Sequence, residues 1–240
     1  MNIKQAEITK LNERFASESP QKILEYILSE FKYTVAFSTS LGPEDQVLTD
    51  MIAKIDPAAK IFTLDTGRLF YETYDTIDKT NARYHINIEI LFPDFLQVEE
   101  MVNEKGINLF YESVENRKLC CNVRKTLPLK RKLKDYDVWV TGIRAEQSVT
   151  RKNMELFEWE PELNMLKVNP LVDWTEEMVW AYIRELKVPY NILHDKGYLS
   201  IGCAPCTRAV EKGEPSRNGR WWWENPETRE CGIHLKGKTS

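Results

Sequence analysis

The sequence predicts an α/β fold built on a mainly parallel, doubly wound sheet. Short apolar or β-branched runs alternate with helical patterns over residues 20–141, as expected of strand–helix units. The predicted strands run into segments 38–45, 65–68 and 141–151, which are rich in Gly, hydroxyls and charge. In a parallel sheet such segments lie at the carboxyl edge, where ligands bind. A chain of 240 residues is long enough for one domain with a substantial core.

Each element has its own signal. Ile23, Leu24, Ile27, Leu28 and Phe31 recur at helical spacing after Pro20, predicting a helix over 20–31. Residues 33–37 form a short buried strand, and Val47, Leu48, Met51, Ile52 and Ile55 line the next helix face. Residues 60–64 make a second strand, followed by a helix, a third strand at 88–92 and a helix through Val98 and Met101. A fourth strand covers 136–141 and closes on Gly142-Ile143-Arg144. Asp173-Trp174-Thr175-Glu176 has the form of a capping box opening a helix to Leu186. From Pro189 onward Gly and Pro punctuate an irregular stretch. The expected organisation is an N-terminal helical segment (1–32), an α/β region (33–200) and a C-terminal tail (201–240), within a single domain.

Lys and Arg number 33 against 37 Asp and Glu, for a formal charge of −4. This argues against a general nucleic-acid or membrane-surface binder. No apolar run reaches the roughly 18–20 residues of a membrane helix, and the N-terminus has no signal-peptide pattern. A cytoplasmic protein is expected, and in that compartment cysteine pairs more often bind metal or do redox work than form structural disulfides.

The five cysteines form a pattern: Cys120-Cys121, Cys203-Ala-Pro-Cys206, and Cys231 alone. Spacing leaves three readings of the first four open: an iron–sulfur centre, a zinc site, or a redox dithiol beside two buried thiols. Lys125 falls four residues after Cys121, on the same face of a helix. The strand-to-helix segment Ser38-Thr39-Ser40-Leu41-Gly42-Pro43-Glu44-Asp45 suits an anion through turn N–H groups, hydroxyls and a helix N-terminus. Alone, it does not separate a binding loop from a structural turn, and it lacks the Gly-Lys-Ser/Thr of a Walker loop.

Taken together the motifs resemble those of the sulfonucleotide reductases. Residues 37–45 resemble their modified pyrophosphate loop and Leu64-Asp65-Thr66-Gly67 their second motif. Thr141-Gly142-Ile143-Arg144 with Gln147, Ser148 and Arg151 resembles the arginine-bearing loop, and Glu230-Cys231-Gly232-Ile233-His234 the catalytic signature. With both cysteine pairs present, the resemblance is to the cluster-containing adenosine 5′-phosphosulfate reductases.

The resemblance implies an adenine nucleotide alpha hydrolase-like fold. It implies a [4Fe–4S] cluster on Cys120, Cys121, Cys203 and Cys206, and Cys231 as nucleophile. It assigns substrate binding to Ser38, Ser40, Gly42, Leu64, Asp65, Gly67, Lys125, Arg144, Arg151, Arg217 and Arg220. Its reaction is reduction of adenosine 5′-phosphosulfate to sulfite and AMP through a Cys231 thiosulfonate, resolved by thioredoxin or glutaredoxin. Alternatives are a reductase of the 3′-phosphorylated nucleotide or of both, an adenylyl-transferring or ATP-pyrophosphatase relative sharing the nucleotide loop, and a non-catalytic iron or redox sensor. Assembly into a homo-oligomer is left open.

Overall fold

The computed structural model describes residues 5–147, 151 and 153–225. In chain order the elements are α1 (Gln5–Phe15), α2 (Pro20–Glu30), β1 (Val35–Thr39), α3 (Pro43–Ile55), β2 (Lys60–Leu64), α4 (Tyr71–Tyr84) and β3 (Glu89–Leu91). There follow α5 (Phe95–Lys105), α6 (Val114–Cys121), α7 (Leu127–Leu133), β4 (Val138–Val140), β5 (Phe157–Glu160), β6 (Met165–Val168) and α8 (Glu176–Leu186). The strands make one six-stranded sheet in the order β3-β2-β1-β4-β6-β5. β1 runs parallel to β2 and β4, with Phe37 opposite Ile61 and Val140, and β4 runs parallel to β6. β5 is antiparallel to its neighbour β6. The mainly parallel α/β sheet expected from the sequence is the observed one.

The chain divides into two compact units. The first comprises residues 1–63, 75–89 and 133–191. Its core joins Leu24 and Ile27 of α2, Val47 and Leu48 of α3, Val35 and Phe37 of β1, and Val138 and Val140 of β4. Burying a side chain of this size is worth about 1.5–3 kcal/mol, so the sheet and its helices are set mainly by this contact. Asp50 of α3 is fully buried and accepts from the hydroxyls of Tyr84 (2.9 Å) and Tyr182 (2.6 Å), tying α3 to α4 and α8.

The second unit comprises residues 64–74, 90–132 and 192–240. Its apolar cluster includes Met101, Leu109, Phe110, Cys120, Val123, Cys206 and Trp221. Between α6 and α7 the backbone widens into a π-helical turn, Asn122–Thr126. Pro128 explains this locally. It has no N–H, and its ring crowds the carbonyl four residues back, which a wider turn relieves.

Several boundaries differ from expectation: the third and fourth strands are shorter than 88–92 and 136–141, and β1 runs on to Thr39. β1 begins at Val35 because Lys32–Thr34 forms a 3₁₀ turn. The cap of α8 is Thr175, whose hydroxyl accepts from the Met178 N–H at 3.3 Å, and not Asp173.

Candidate active site

In the first unit the loop after β1 is organised around Asp45. The Ser40 N–H and Ser40 Oγ both donate to Asp45 Oδ2 at 2.6 Å. Leu41 supplies the turn's left-handed residue, with φ 62°. Gly42 has φ −69° and caps α3 without needing a glycine's special conformation. The glycine this site requires for space is Gly142: a Cβ there would run into the Asp45 carboxylate, with Glu44 Cβ at 3.2 Å. The loops after β1 and β4 therefore interlock through a missing side chain.

Burial pushes the Asp45 carboxyl up to about 6, against the pull of its Ser40 hydrogen bonds. The folded protein thus keeps a proton that the unfolded chain, near 3.8, has already lost. The stability Asp45 contributes is complete below about pH 4 and is lost as pH rises to about 6. Asp45→Asn removes this dependence. The melting temperature of the variant relative to the native protein should rise between pH 4 and pH 7, as differential scanning fluorimetry can read; a flat difference would contradict the assignment.

Arg144 is buried, and its Nε donates to Glu44 Oε1 and its Nη1 to Glu146 Oε2, both at 2.8 Å. Arg151 is also buried, and its Nη1 donates to Gln147 Oε1, which accepts the Arg144 N–H at 3.3 Å as well. The two arginines are therefore brought together by Gln147, with carboxylates already beside Arg144. Ser38, at the end of β1, accepts from the indole N–H of Trp139 at 2.7 Å. Ser148 lies outside the described residues.

In the second unit, Asp65 follows β2 and accepts from the Gly67 N–H at 2.7 Å and the Tyr74 hydroxyl at 3.0 Å. Gly67 takes φ +72°, a conformation for which glycine is the natural choice. Leu64 closes the strand before it. Cys120, Cys121, Cys203 and Cys206 line one cavity together with Arg68, Arg117, Arg124 and Lys125. Lys125 and Cys121 both line this cavity, and the turn carrying Lys125 is π-helical, not the α-helix the four-residue spacing assumed. Cys203 Sγ stands 3.2 Å from the Thr66 hydroxyl.

The [4Fe–4S] expectation is corrected here. Among the described residues no group of three or more His, Cys, Asp or Glu side chains is placed to hold a metal ion. Cys120, Cys121, Cys203 and Cys206 are free cysteines packed in or against the apolar cluster of this unit, and their assignment as cluster ligands is withdrawn with the cofactor. Zinc falls on the same finding. Burial pushes the Cys206 thiol up to about 12, with Cys203 adding to the rise, and burial also raises Cys120. Spacing along the chain brought the four residues to one cavity, but it does not determine whether their sulfur atoms take a coordinating geometry.

Arg220 is buried, with its guanidinium 4.6 Å over the Trp221 ring, pressed against Gly202, and donating to Ile201 O at 3.2 Å. Arg217 is half-buried in a 3₁₀ turn, Ser216–Gly219. Cys231 lies outside the described residues.

Sequence reasoning missed three cations of the second unit. Arg124 is buried and donates to Thr66 O at 2.7 Å, joining the cysteine-bearing helix to the segment after β2. Arg68 stands 5.0 Å over Phe110 and donates to Ile107 O at 2.6 Å. Arg117 is fully buried, pairs with Glu224 at 2.8 Å, and lies 4.7 Å over the other guanidinium's partner, Trp221. The position of Arg124 directly before Lys125 was the available signal.

Comparison with known proteins agrees with this architecture. The profile of the phosphoadenosine phosphosulfate reductase domain matches residues 34–209. A protein of Allochromatium vinosum named adenosine 5′-phosphosulfate reductase is 52% identical over 85% of this chain and 79% of its own. One of Pseudomonas aeruginosa with the same name is 44% identical over 95% of this chain and 86% of its own. Among solved structures, the phosphoadenylyl-sulfate reductase of Candida auris, a phosphate complex, aligns with a TM-score of 0.75 at 31% identity, covering 88% of this chain and 99% of that one. Yeast FAD synthetase, at 12% identity and a TM-score of 0.54 over 86% of this chain and 70% of its own, shares the fold alone. With a domain profile matching residues 34–209 and relatives 44–52% identical over most of its length, this chain belongs to the phosphoadenosine phosphosulfate reductase family and is an oxidoreductase that reduces a sulfonucleotide.

Proposed function

We propose that the chain reduces adenosine 5′-phosphosulfate to sulfite and AMP, with a thioredoxin-like dithiol as reductant. The observation that carries this reading is the name shared by relatives 44–52% identical over most of the chain. The Cys231 thiolate attacks the sulfur of the substrate, the S–O bond to AMP breaks, and the enzyme holds a Cys231 thiosulfonate. A thiolate of the partner then attacks Cys231 Sγ and releases sulfite. Its second thiol breaks the resulting mixed disulfide, returning Cys231 and leaving an oxidised partner. Two electrons pass from the dithiol to sulfur. Cys120 and Cys206 are poor candidates for resolving the intermediate, because their raised thiols are little ionised near neutral pH.

Attack by one anion on another requires positive charge, which supports substrate roles for Arg144 and Arg151. The roles of Ser38, Ser40 and Gly42 at the anionic end, and of Leu64, Asp65, Gly67, Lys125, Arg217 and Arg220, belong to the same proposal. No described helix is long and apolar enough to cross a membrane. The cytoplasm, where thioredoxin is kept reduced, suits the chemistry.

The matching domain profile and the Candida auris enzyme favour a second reading, reduction of the 3′-phosphorylated nucleotide. Sulfite release with reduced thioredoxin distinguishes them. Turnover of adenosine 5′-phosphosulfate at least tenfold above that of the 3′-phosphorylated compound is expected. The reverse preference would transfer the assignment to the second reading.

A further inference from the structure

Ser38, near the end of β1, and Ser40, in the loop that follows, have opposite hydrogen-bonding commitments. A hydroxyl has one proton to give and lone pairs to receive, whereas an indole N–H only donates. Trp139 Nε1 donates to Ser38 Oγ at 2.7 Å, so that bond uses a Ser38 lone pair and leaves its proton for another acceptor. Among the described residues none accepts that proton. Ser40 is committed the other way: both its Oγ and its N–H donate to Asp45 Oδ2. An anionic ligand needs donors, and of these two hydroxyls only Ser38 has one to offer.

Trp139 is held tightly enough to impose this polarity. It is 1% exposed in the middle of β4, in register with Ala36 of β1. The Lys167 ammonium lies 5.6 Å over its ring and is itself buried, paired with Glu158 at 3.6 Å. Asn169 Nδ2 donates to Glu158 Oε2 at 3.2 Å, and Asn169 Oδ1 accepts from Thr141 Oγ1 at 2.6 Å. A buried cation on the indole face is a stabilising contact, and the polar chain behind it fixes that cation. Ordinary packing of a sheet tryptophan does not require its N–H to meet Ser38.

We propose that Trp139 is a positioning residue that fixes Ser38, and not Ser40, as the hydroxyl donor presented to the anionic end of the sulfonucleotide. The inference rests on the proposed function and adds to it a route by which β4 sets substrate affinity. Trp139 touches no reacting atom; it acts through Ser38.

The test is a double-variant cycle on the full chain, with AMP affinity read by calorimetry and KM and kcat for adenosine 5′-phosphosulfate by sulfite release. Trp139→Phe keeps a buried ring and deletes the N–H. It should raise the AMP Kd and the KM roughly three- to tenfold, the worth of one hydrogen bond, with kcat within about twofold. Ser38→Ala should do the same, and the double variant should lose no more than either alone. Ser40→Ala should weaken affinity less than Ser38→Ala. Losses that multiply in the double variant, or a larger affinity loss in Ser40→Ala, would overturn the proposal. If Trp139→Phe does not fold, Trp139→Leu, which also deletes the N–H, takes its place in the cycle with Ser38→Ala. A native protein that forms no sulfite would instead overturn the functional reading on which the proposal rests.

Discussion

Replacing Cys231 with serine is expected to abolish sulfite formation while leaving AMP affinity unchanged. Of the five cysteines, four line one cavity of the second unit, and Cys231 is the one whose neighbours, Glu230, Gly232, Ile233 and His234, match the family's catalytic signature. In the proposed mechanism its thiolate is the nucleophile, and a serine hydroxyl in its place has no comparable ionised fraction near neutral pH. Removing a covalent nucleophile typically costs on the order of 10⁴-fold or more. Because the proposal assigns the anionic end of the substrate to residues of the first unit, binding should survive. Sulfite release at even a few per cent of the native rate would remove the covalent mechanism, whereas loss of AMP binding alongside activity would indicate a folding defect.

The largest effect on stability is expected at Arg117 and Glu224. Their side chains are 0% and 3% exposed, and the guanidinium donates through Nε and Nη2 to both carboxylate oxygens at 2.8 and 2.9 Å. Arg117 and Arg220 also each lie over the Trp221 ring. Bidentate geometry makes the pair strong, but its removal in halves is what costs most, because the remaining charge stays buried and unpaired. Arg117→Met or Glu224→Leu alone should therefore destabilise by about 3–5 kcal/mol. The double variant should recover a large part of that loss, since replacing a buried pair by apolar groups is often close to neutral. Urea unfolding of the three proteins measures this. Additive losses in the double variant would show that packing against Trp221, and not the ion pair, dominates.

Much of the sheet was legible because its strands follow simple rules. β2 is fully consistent with its Lys60–Leu64 run, and α2 with the spacing of Ile23, Leu24 and Ile27. The β5–β6 hairpin was not foreseen. Every residue of β6 is buried, including Lys167, so the strand has no alternation of apolar and polar side chains to mark it. Lys167 is tolerated there by Trp139 and Glu158, partners distant in sequence or on the opposing strand.

The loop after β1 illustrates the same limit at the site. Its position after β1 was readable, but its organisation around Asp45 was not, because that depends on Gly142 in another loop leaving room. Arg144 was expected as a cation for substrate, and its neutralising contacts with Glu44 and Glu146 emerge only from the fold. With the cysteines, order along the chain correctly grouped four of them and misjudged their arrangement, for which backbone placement and not spacing is decisive.

The most direct test is a single turnover without reductant. Native protein mixed with adenosine 5′-phosphosulfate should release AMP in an amount no greater than the enzyme present. Intact-mass and peptide analysis should then find one added SO₃ group on Cys231, discharged as sulfite when reduced thioredoxin is supplied. AMP release without a modified cysteine, or the group on another residue, would contradict the account.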